Sequence, residues 1–261
     1  MASISTPSFQ LPPRTRVLGL PVHAVRSEDV VELASHAVRE RRRLRIAVTN
    51  ANKCYLAARD PELRAFLEQA ELVVPETAVV WGARVLGRPG VSPVWGVALA
   101  AQLLERADRE GWSVYLLGAR SDVNAQAAEA VRTRFPGACV VGNHHGYLAD
   151  PSVQDAVVRE LEQRSPDLLL VGMGSPLQER MLARLSPTAS PGVSLGVGGT
   201  FDVLAGLRQE APRWVRGTGF EWLWRSAQDP RLFSRYMRVN PWFVASVLRE
   251  RLTGSDGGAR G

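Results

Sequence analysis

The sequence predicts an α/β protein, with a Rossmann-like parallel sheet that carries helices on both faces and with a C-terminal helical appendage. Up to about residue 200, short apolar runs alternate with helical patterns of about 10–15 residues, which is typical of parallel sheets. After Gly206 this alternation ends, and an aromatic, arginine-rich stretch with helical periodicity runs from Phe220 to about Leu252. We therefore expect an α/β domain over residues 14–206 and an appendage over residues 207–253.

Each predicted strand is a short, mainly apolar run that is bounded by polar or turn-forming residues. In chain order these runs are Val17–Leu20, Leu44–Thr49, Leu72–Val74, Trp112–Gly118, Cys139–Val141, Leu168–Val171 and Val193–Val197. Ser27 can cap a helix that runs to about Arg41, and Asp60-Pro61 opens a shorter helix. Val97–Arg109 has helical periodicity, and Ser121 starts the next helix.

The positive charge of the chain is concentrated near its C-terminus. The net charge is +6, and the region from Arg213 to Arg251 holds eight arginines against three acidic residues, a local excess of five. No apolar run approaches the roughly 18–20 residues that span a bilayer, and residues 1–14 lack the apolar centre of a signal peptide. Cys54 and Cys139 suggest neither a disulfide framework nor a metal site. These features predict a cytoplasmic protein.

Small and polar residues follow five of the predicted strands. In a parallel sheet, ligands bind beyond the carboxyl ends of the strands, where glycines let main-chain N–H groups approach phosphate oxygens and helix N-termini favour negative charge. A diphosphate ligand would therefore suit this surface. The five segments are Thr49–Asn52, Pro75–Thr77, Gly118–Arg120, Gly172–Glu179 and Gly196–Asp202.

Each of these segments also has a plain structural interpretation. Glycine-rich turns are common αβ connections, Asn50 and Asn52 could cap the next helix, and Gln178-Glu179 could form a solvated first helical turn. Glu76 could simply complement a helix dipole. None of the segments matches G-x-G-x-x-G or G-x-x-x-x-G-K-[ST], which argues against dinucleotide and P-loop chemistry. We expect no metal at His144-His145, because neighbouring histidines point in different directions and no partner is suitably spaced.

Seven motifs resemble a known protein family in content and in order. They are Thr49–Lys53, Ala57–Pro61, Val73–Glu76, Val171–Glu179, Gly196–Asp202, Ala211–Trp214 and Glu221–Arg225. Together they look like the WecG/TagA/CpsF family, glycosyltransferase family 26, over roughly residues 15–250. A single motif would be weak evidence, but this many motifs in the family's order are specific.

The resemblance implies an enzyme that moves N-acetylmannosamine, its uronic acid, glucose or a related sugar from a UDP-sugar donor. The implied acceptor is a polyprenyl-diphosphate-linked sugar, and the products feed wall teichoic acid, enterobacterial common antigen or exopolysaccharide. The reaction would invert the anomeric centre without a metal or other cofactor. The protein would act peripherally on the inner face of the cell membrane, with no nucleic-acid partner, and a homo-oligomer stays open.

The family's proposed general base is the Asp of a Pro-Asp-Gly motif, and the matching residues here are Pro75-Glu76-Thr77. Glutamate keeps the carboxylate but adds a methylene, so Glu76 would reach farther and approach the acceptor hydroxyl at a new angle. We expect it to be the catalytic residue, a role typically worth about 10²–10⁴-fold in rate. The alternative is a catalytically weakened nucleotide-sugar-binding or scaffold homologue.

A second departure lies in the family's Arg-Val-x-Gly-x-Asp-Leu segment, which reads here as Pro93–Leu99. Pro93 replaces the Arg and Ala98 replaces the Asp, so the identity of the substrate is not carried over. By motif match, Asn50 and Gln178 are expected to contact substrate, the glycines to shape a UDP pocket, and Asp202 either to orient a hydroxyl or to cap a helix. The full set of predicted substrate-binding residues is Thr49, Asn50, Asn52, Gly118, Gly172, Gly174, Gln178, Glu179, Gly198, Gly199 and Asp202.

The C-terminal appendage interleaves Trp, Tyr and Phe with arginines. Arginine attracts anionic headgroups at about 1 kcal/mol each near a membrane, and Trp and Tyr favour its interface. The resemblance agrees, since the family's appendage is thought to close the active site and dock on the membrane. A helix pair with inward aromatic residues and solvated arginines is the plain alternative, and no motif supports nucleic-acid binding. The arginines expected to hold the acceptor diphosphate or the membrane are Arg213, Arg216, Arg225, Arg231 and Arg235.

A nucleotide-dependent oxidoreductase with a Rossmann-like fold is the main rival. It predicts a dinucleotide fingerprint near the first strand, where Leu18–Val22 holds a single glycine.

Overall fold

The computed structural model describes residues 10–185, 192–209, 212, 215, 221–228 and 231–254. In the last two of these segments, the side chains at positions 221, 222, 225 and 231 are not described. The described residues form a hairpin, a parallel sheet and helices on both sides of that sheet.

The first two strands of the described chain form a β-hairpin, and the prediction of a single strand over Val17–Leu20 is wrong. Strands β1 (Arg14–Val17) and β2 (Leu20–His23) pair antiparallel, with Val17 opposite Leu20. Leu18 and Gly19 form the turn between them with φ of 52° and 72°, the positive values that tight hairpin turns require. The error arose because a leucine within a turn is indistinguishable by composition from a leucine within a strand.

Six parallel strands form the main sheet. They are β3 (Leu44–Thr49), β4 (Leu72–Pro75), β5 (Ser113–Gly118), β6 (Cys139–His144), β7 (Leu168–Gly172) and β8 (Val193–Gly196), and their spatial order is β4-β3-β8-β7-β5-β6. The central strands are continuous apolar runs because helices cover both faces of the sheet. In β7, for example, Leu168–Val171 are fully buried. The predicted fold class is confirmed.

Helices begin shortly after most of these strands, so their N-termini lie at the carboxyl edge of the sheet. Asp60 and Asp150 accept hydrogen bonds from main-chain N–H groups, and each precedes a proline at the first position of its helix. The helices are α1 (Ser27–Arg39), α2 (Ala51–Ala57), α3 (Pro61–Gln69), α4 (Thr77–Val85), α5 (Gly96–Glu110), α6 (Ser121–Arg134), α7 (Pro151–Arg164), α8 (Leu177–Arg184), α9 (Thr200–Leu204), α10 (Glu221–Gln228) and α11 (Arg231–Thr253).

Apolar cores lie on both faces of the sheet. Helices α1, α5, α6 and α9 contribute to the core on one face, and α2, α3, α4, α8, the hairpin and α11 contribute to the other. The alternation along β3 shows the division, since Leu44, Ile46 and Val48 belong to the first core and Ala47 belongs to the second.

The second half of α11 is part of the core. Val239, Phe243 and Val247 share one face of the helix and are buried where α11 meets α2 and α4. Gly82 of α4 permits the close approach, because a Cβ atom there would lie 3.2 Å from both Phe243 and Val247. Within the part of the chain that is described, no helix is both long enough and apolar enough to cross a membrane.

Candidate active site

A cavity of about 710 Å³ opens at the carboxyl edge of the sheet. Its walls come from the segments that follow β3, β4, β7 and β8, four strands that lie side by side, and from α11, which supplies Arg235, Tyr236 and Asn240. Because the four strands are parallel and adjacent, their carboxyl ends converge although the segments are far apart in sequence. The volume is within the usual range for small-molecule sites.

The cavity brings together residues that were predicted as site residues from separate segments of the sequence. They share a position just beyond a strand, and their contact with substrate stays a prediction. The predicted catalytic and substrate-binding residues that line the cavity are Asn50, Asn52, Glu76, Gly174, Gln178, Gly198 and Gly199.

Asn50 holds the carboxylate of Glu76 at the cavity wall. Asn50 Nδ2 donates to Glu76 Oε2 at 3.0 Å, and Asn50 Oδ1 accepts from the main-chain N–H of Lys53 at 3.0 Å. The second bond caps α2, so rotation of the Asn50 amide would break both contacts. Glu76 occupies the N-cap position of α4, but its side chain makes no capping hydrogen bond. Its carboxylate is therefore directed to the cavity rather than to the helix that it precedes.

Lys53, which lines the cavity, forms a buried ion pair with Glu179. Lys53 Nζ and Glu179 Oε1 are 2.7 Å apart, and the two side chains are 4% and 1% exposed. The same carboxylate oxygen accepts from Gln178 Nε2 at 2.8 Å and from Ser175 Oγ at 3.0 Å. Gln178 Oε1 accepts from the main-chain N–H of Gly198 at 3.1 Å. One polar network therefore joins α2, α8 and the turn after β8.

The environment of Glu179 favours its ionised form. Burial by itself opposes ionisation, but the charge of Lys53 and the hydrogen bonds from Lys53, Gln178 and Ser175 outweigh it and hold the pKa of Glu179 below its usual range. Gln178 and Glu179 are both buried, so the alternative of a solvated first helical turn is wrong. The physical reason is Gly196, where a Cβ atom would lie 2.6 Å from Gln178 Nε2 and would prevent this inward packing.

Besides Glu179, four predicted substrate-binding residues lie outside the lining of this cavity. Thr49 is fully buried, and its Oγ1 has no hydrogen-bond partner among the described residues. Gly118 and Gly172 serve close packing, because a Cβ atom at Gly118 would lie 2.4 Å from the carbonyl oxygen of Gly172. Asp202 lies in the first turn of α9, with Oδ2 at 3.8 Å from Arg208 Nε. Substrate contact by these four residues stays a prediction.

Arg235 lies at the cavity wall, as one of the arginines predicted to bind the acceptor. Its guanidinium carbon is 5.3 Å from the centre of the Tyr236 ring. Its Nε is buried and has no hydrogen-bond partner in the part of the chain described. Arg213 and Arg216 lie outside the described residues, and the side chains of Arg225 and Arg231 are not described.

Sequence reasoning missed two cations that line the cavity, Lys53 and Arg84. Arg84 lies two turns into α4 on the face that also presents Thr77 and Val80 to the cavity. This i, i+3, i+7 spacing behind Glu76 was available in the sequence and could have identified Arg84. Lys53 carried no such signal, because its role depends on the distant Glu179.

The geometry of His144 and His145 differs from expectation. Their ring centres lie 4.4 Å apart, so the side chains do not point in different directions. The reason is that β6 ends at His144, and the alternation of a strand does not continue to His145. Among the described residues, no group of three His, Cys, Asp or Glu side chains is arranged to hold a metal ion.

The fold and the cavity define an α/β protein with a carboxylate and glycine-rich turns at the ligand-binding edge of its sheet. The sequence profile of the Glycosyl transferase WecG/TagA/CpsF family matches residues 15–257, so the chain belongs to that family. The resemblance is confirmed, and the protein is a glycosyltransferase. One relative is the N-acetylglucosaminyldiphosphoundecaprenol N-acetyl-beta-D-mannosaminyltransferase of Bacillus spizizenii, which is 30% identical over 205 residues, covering 78% of each chain.

Proposed function

We propose that the protein transfers a sugar from a UDP-sugar donor to a polyprenyl-diphosphate-linked acceptor during the synthesis of a cell-surface polysaccharide. The observation that carries this proposal is the Glu76 carboxylate, which Asn50 holds against a cavity lined by the glycine turns after β7 and β8. The name of the Bacillus relative supports it, since that enzyme transfers an N-acetylmannosaminyl group to N-acetylglucosaminyldiphosphoundecaprenol. The UDP derivative of N-acetylmannosamine or of a related sugar is therefore the first donor to test.

In the proposed reaction, Glu76 is the general base. It accepts the proton of the acceptor hydroxyl while the hydroxyl oxygen attacks the anomeric carbon of the donor sugar. The bond from that carbon to the β-phosphate oxygen breaks, and UDP leaves with the bonding electrons. Attack from the side opposite to UDP inverts the anomeric centre. Asn50 fixes one oxygen of Glu76 and thereby sets the direction from which the base works.

The glycine turns are proposed to stabilise the departing diphosphate without a divalent ion. Gly174 and Gly198 have φ of 74° and 54°, values that glycine adopts without strain and that let a turn expose its main-chain N–H groups. The N-terminus of α8 follows the first of these turns and favours negative charge there. Main-chain N–H groups held in place by these turns would stabilise the negative charge that develops on the departing diphosphate in the transition state.

The acceptor is proposed to enter beside α11. Arg84 and Arg235 line the cavity on that side and offer guanidinium groups, which suit the oxygens of a diphosphate. The outer side of α11 exposes apolar side chains, including Met237 and Leu248. We propose that the appendage at residues 207–253 docks on the inner face of the cell membrane through this surface, where apolar and basic side chains favour anionic lipid.

Calorimetric titration with UDP and NAD, followed by a transfer assay, tests the proposal. We expect UDP to bind and NAD not to bind. Glu76→Gln should keep UDP affinity but lower transfer to a short-chain lipid-linked acceptor by about 10²–10⁴-fold, because the amide cannot accept the proton. Glu28→Gln, at an exposed acidic residue in the first turn of α1, is the matched control.

Three results would contradict this assignment. Binding of NAD in place of UDP would favour the oxidoreductase. Rapid turnover at the same rate by the wild type and Glu76→Gln would remove Glu76 from the mechanism. Low turnover in both, with UDP still bound, would favour a nucleotide-sugar-binding homologue with weakened catalysis, which the replacement of the family's Asp by Glu76 already suggests.

A further inference from the structure

Lys53 connects two walls of the cavity. Its main-chain N–H donates to Asn50 Oδ1, and this bond orients the amide that holds Glu76. Its ammonium group pairs with Glu179, the residue that accepts from Gln178 Nε2. A single residue therefore orients polar side chains after β3 and, through its ion pair, after β7.

Stability alone gives no reason for burying this ion pair. Removing two charges from water is costly, and apolar side chains of similar volume often stabilise a protein as well or better. The cost is high here because Glu179 Oε2 is buried without a hydrogen-bond partner among the described residues. The ion pair does, however, fix the orientation of its neighbours. The ionised carboxylate of Glu179 can accept hydrogen bonds but cannot donate them, so only a donor group can face it.

This restriction determines how the Gln178 amide is oriented. The amide nitrogen must face Glu179 Oε1, which accepts it at 2.8 Å, so the amide oxygen faces the N–H of Gly198. Lys53 and Ser175 hold the same carboxylate oxygen in place. The conformation of the turn after β8 is thus tied to an ion pair between α2 and α8.

We propose that the Lys53–Glu179 ion pair is a positioning unit that fixes the Gln178 amide and, through it, the Gly198 turn of the nucleotide subsite. The inference rests on the proposed function, which places UDP against this turn. Without the pair, the Gln178 amide can rotate, and the N–H of Gly198 loses its acceptor. UDP affinity then falls even where the fold is stable.

Three variants separate positioning from stability. Lys53→Met leaves a carboxylate buried without its cation, so we expect a lower Tm and a UDP Kd raised about tenfold. Lys53→Met with Glu179→Gln, and Lys53→Met with Glu179→Leu, both remove the buried charge and should recover Tm. Only the Gln variant keeps an oxygen that can accept from Gln178. We expect its UDP Kd to return to within about threefold of wild type and the Leu variant to stay about tenfold weaker.

Gln178→Leu tests whether the pair acts through Gln178. In the wild-type background it should raise the UDP Kd about tenfold. Added to Lys53→Met with Glu179→Leu, it should weaken UDP binding no further, because both sets of changes remove the hydrogen bond from the Gly198 N–H to Gln178 Oε1. Glu71→Gln is the matched control. It breaks the Arg45–Glu71 pair, 3.0 Å apart at the opposite edge of the sheet, and should lower Tm without changing the UDP Kd.

Wild-type UDP affinity in Lys53→Met with Glu179→Leu would overturn the inference, as would additive losses with Gln178→Leu. Those results would leave the proposed function intact, because the wild type would still bind UDP. A wild type that binds no UDP would overturn the proposed function and this inference together.

Discussion

Asn50 makes two distinct hydrogen bonds with the two ends of one amide. Its oxygen caps α2 through the N–H of Lys53, and its nitrogen holds Glu76. From sequence, capping and substrate contact read as alternatives, because a side chain was assigned one role at a time. In the structure, the capping bond orients the Asn50 amide so that its nitrogen faces Glu76 at the cavity wall.

Arg84 lines the cavity but was not among the site residues predicted from the sequence. The family's arginine is replaced by Pro93, which lines the same cavity as Arg84. We expect Arg84→Gln to raise the KM for a lipid-linked acceptor about tenfold or more, since a charge-assisted hydrogen bond to the diphosphate would be lost. UDP affinity should change little. Steady-state kinetics with varied acceptor measure this.

The control for Arg84→Gln is Arg132→Gln, in the last turn of α6. An equal rise in acceptor KM in both variants would indicate a general effect of net charge and would remove Arg84 from the acceptor site.

At the scale of elements, α11 joins the core to the cavity. Its inner face contains Val239, Phe243 and Val247, and its first half supplies Arg235 and Tyr236 to the cavity wall. Removing the whole appendage would expose this apolar inner face, so point substitutions test its function better than truncation.

The contact between α4 and α11 depends on Gly82. We expect Gly82→Leu to lower the free energy of unfolding by about 1–3 kcal/mol, because the added atoms overlap Phe243 and Val247. The displaced α11 should also weaken acceptor binding. Urea denaturation and acceptor KM measure the two effects. Ala125→Leu, on the exposed side of α6, should change neither, and a similar loss there would refute the packing argument.

The outer face of α11 carries the prediction of membrane contact. Met237, Leu248 and Leu252 are 53%, 46% and 86% exposed, so Glu at these positions should leave the core intact. We expect the triple Glu variant to lose most of its binding to vesicles that contain anionic lipid, measured by sedimentation, because it loses apolar burial and gains charge repulsion. Val153→Glu on α7 is the control. Unchanged binding by the triple variant would refute docking through α11.

At the scale of the whole molecule, three buried or half-buried groups make the fold sensitive to acid. Burial lowers the pKa of His23, although its contact with the main chain of Val73 opposes this. Despite the opposing effect of burial, hydrogen bonds and the charge of Arg45 lower the pKa of Glu71, and Lys53 similarly lowers that of Glu179. For each group the unfolded chain binds protons more readily than the folded chain.

The free energy of unfolding should therefore decrease in two steps as the pH is lowered. The first begins below about pH 6.5, where His23 titrates in the unfolded chain, and the second begins below about pH 4, where Glu71 and Glu179 do so. Urea midpoints at pH 7.5, 5.5 and 3.5 measure the decline, and Glu71→Gln should flatten its lower part. A midpoint that is constant from pH 7.5 to 3.5 would contradict these assignments.

The sequence by itself determined the α/β class, most strand positions and the edge of the sheet that carries polar residues. These are properties of local composition: the period of apolar residues and the turn residues after each run can be read within a short window. A short window of sequence is not always sufficient. Leu18 was predicted to lie within a strand because it is apolar, but it lies in the turn between β1 and β2.

Only the tertiary structure decided which of those polar segments share a cavity. The order β4-β3-β8-β7-β5-β6 brings Glu76, Asn50, Gly198 and Gln178 together and leaves Gly118 outside the cavity lining. The same order sets Lys53 against Glu179. Strand adjacency depends on contacts between distant parts of the chain, and no local pattern records which strand lies beside which.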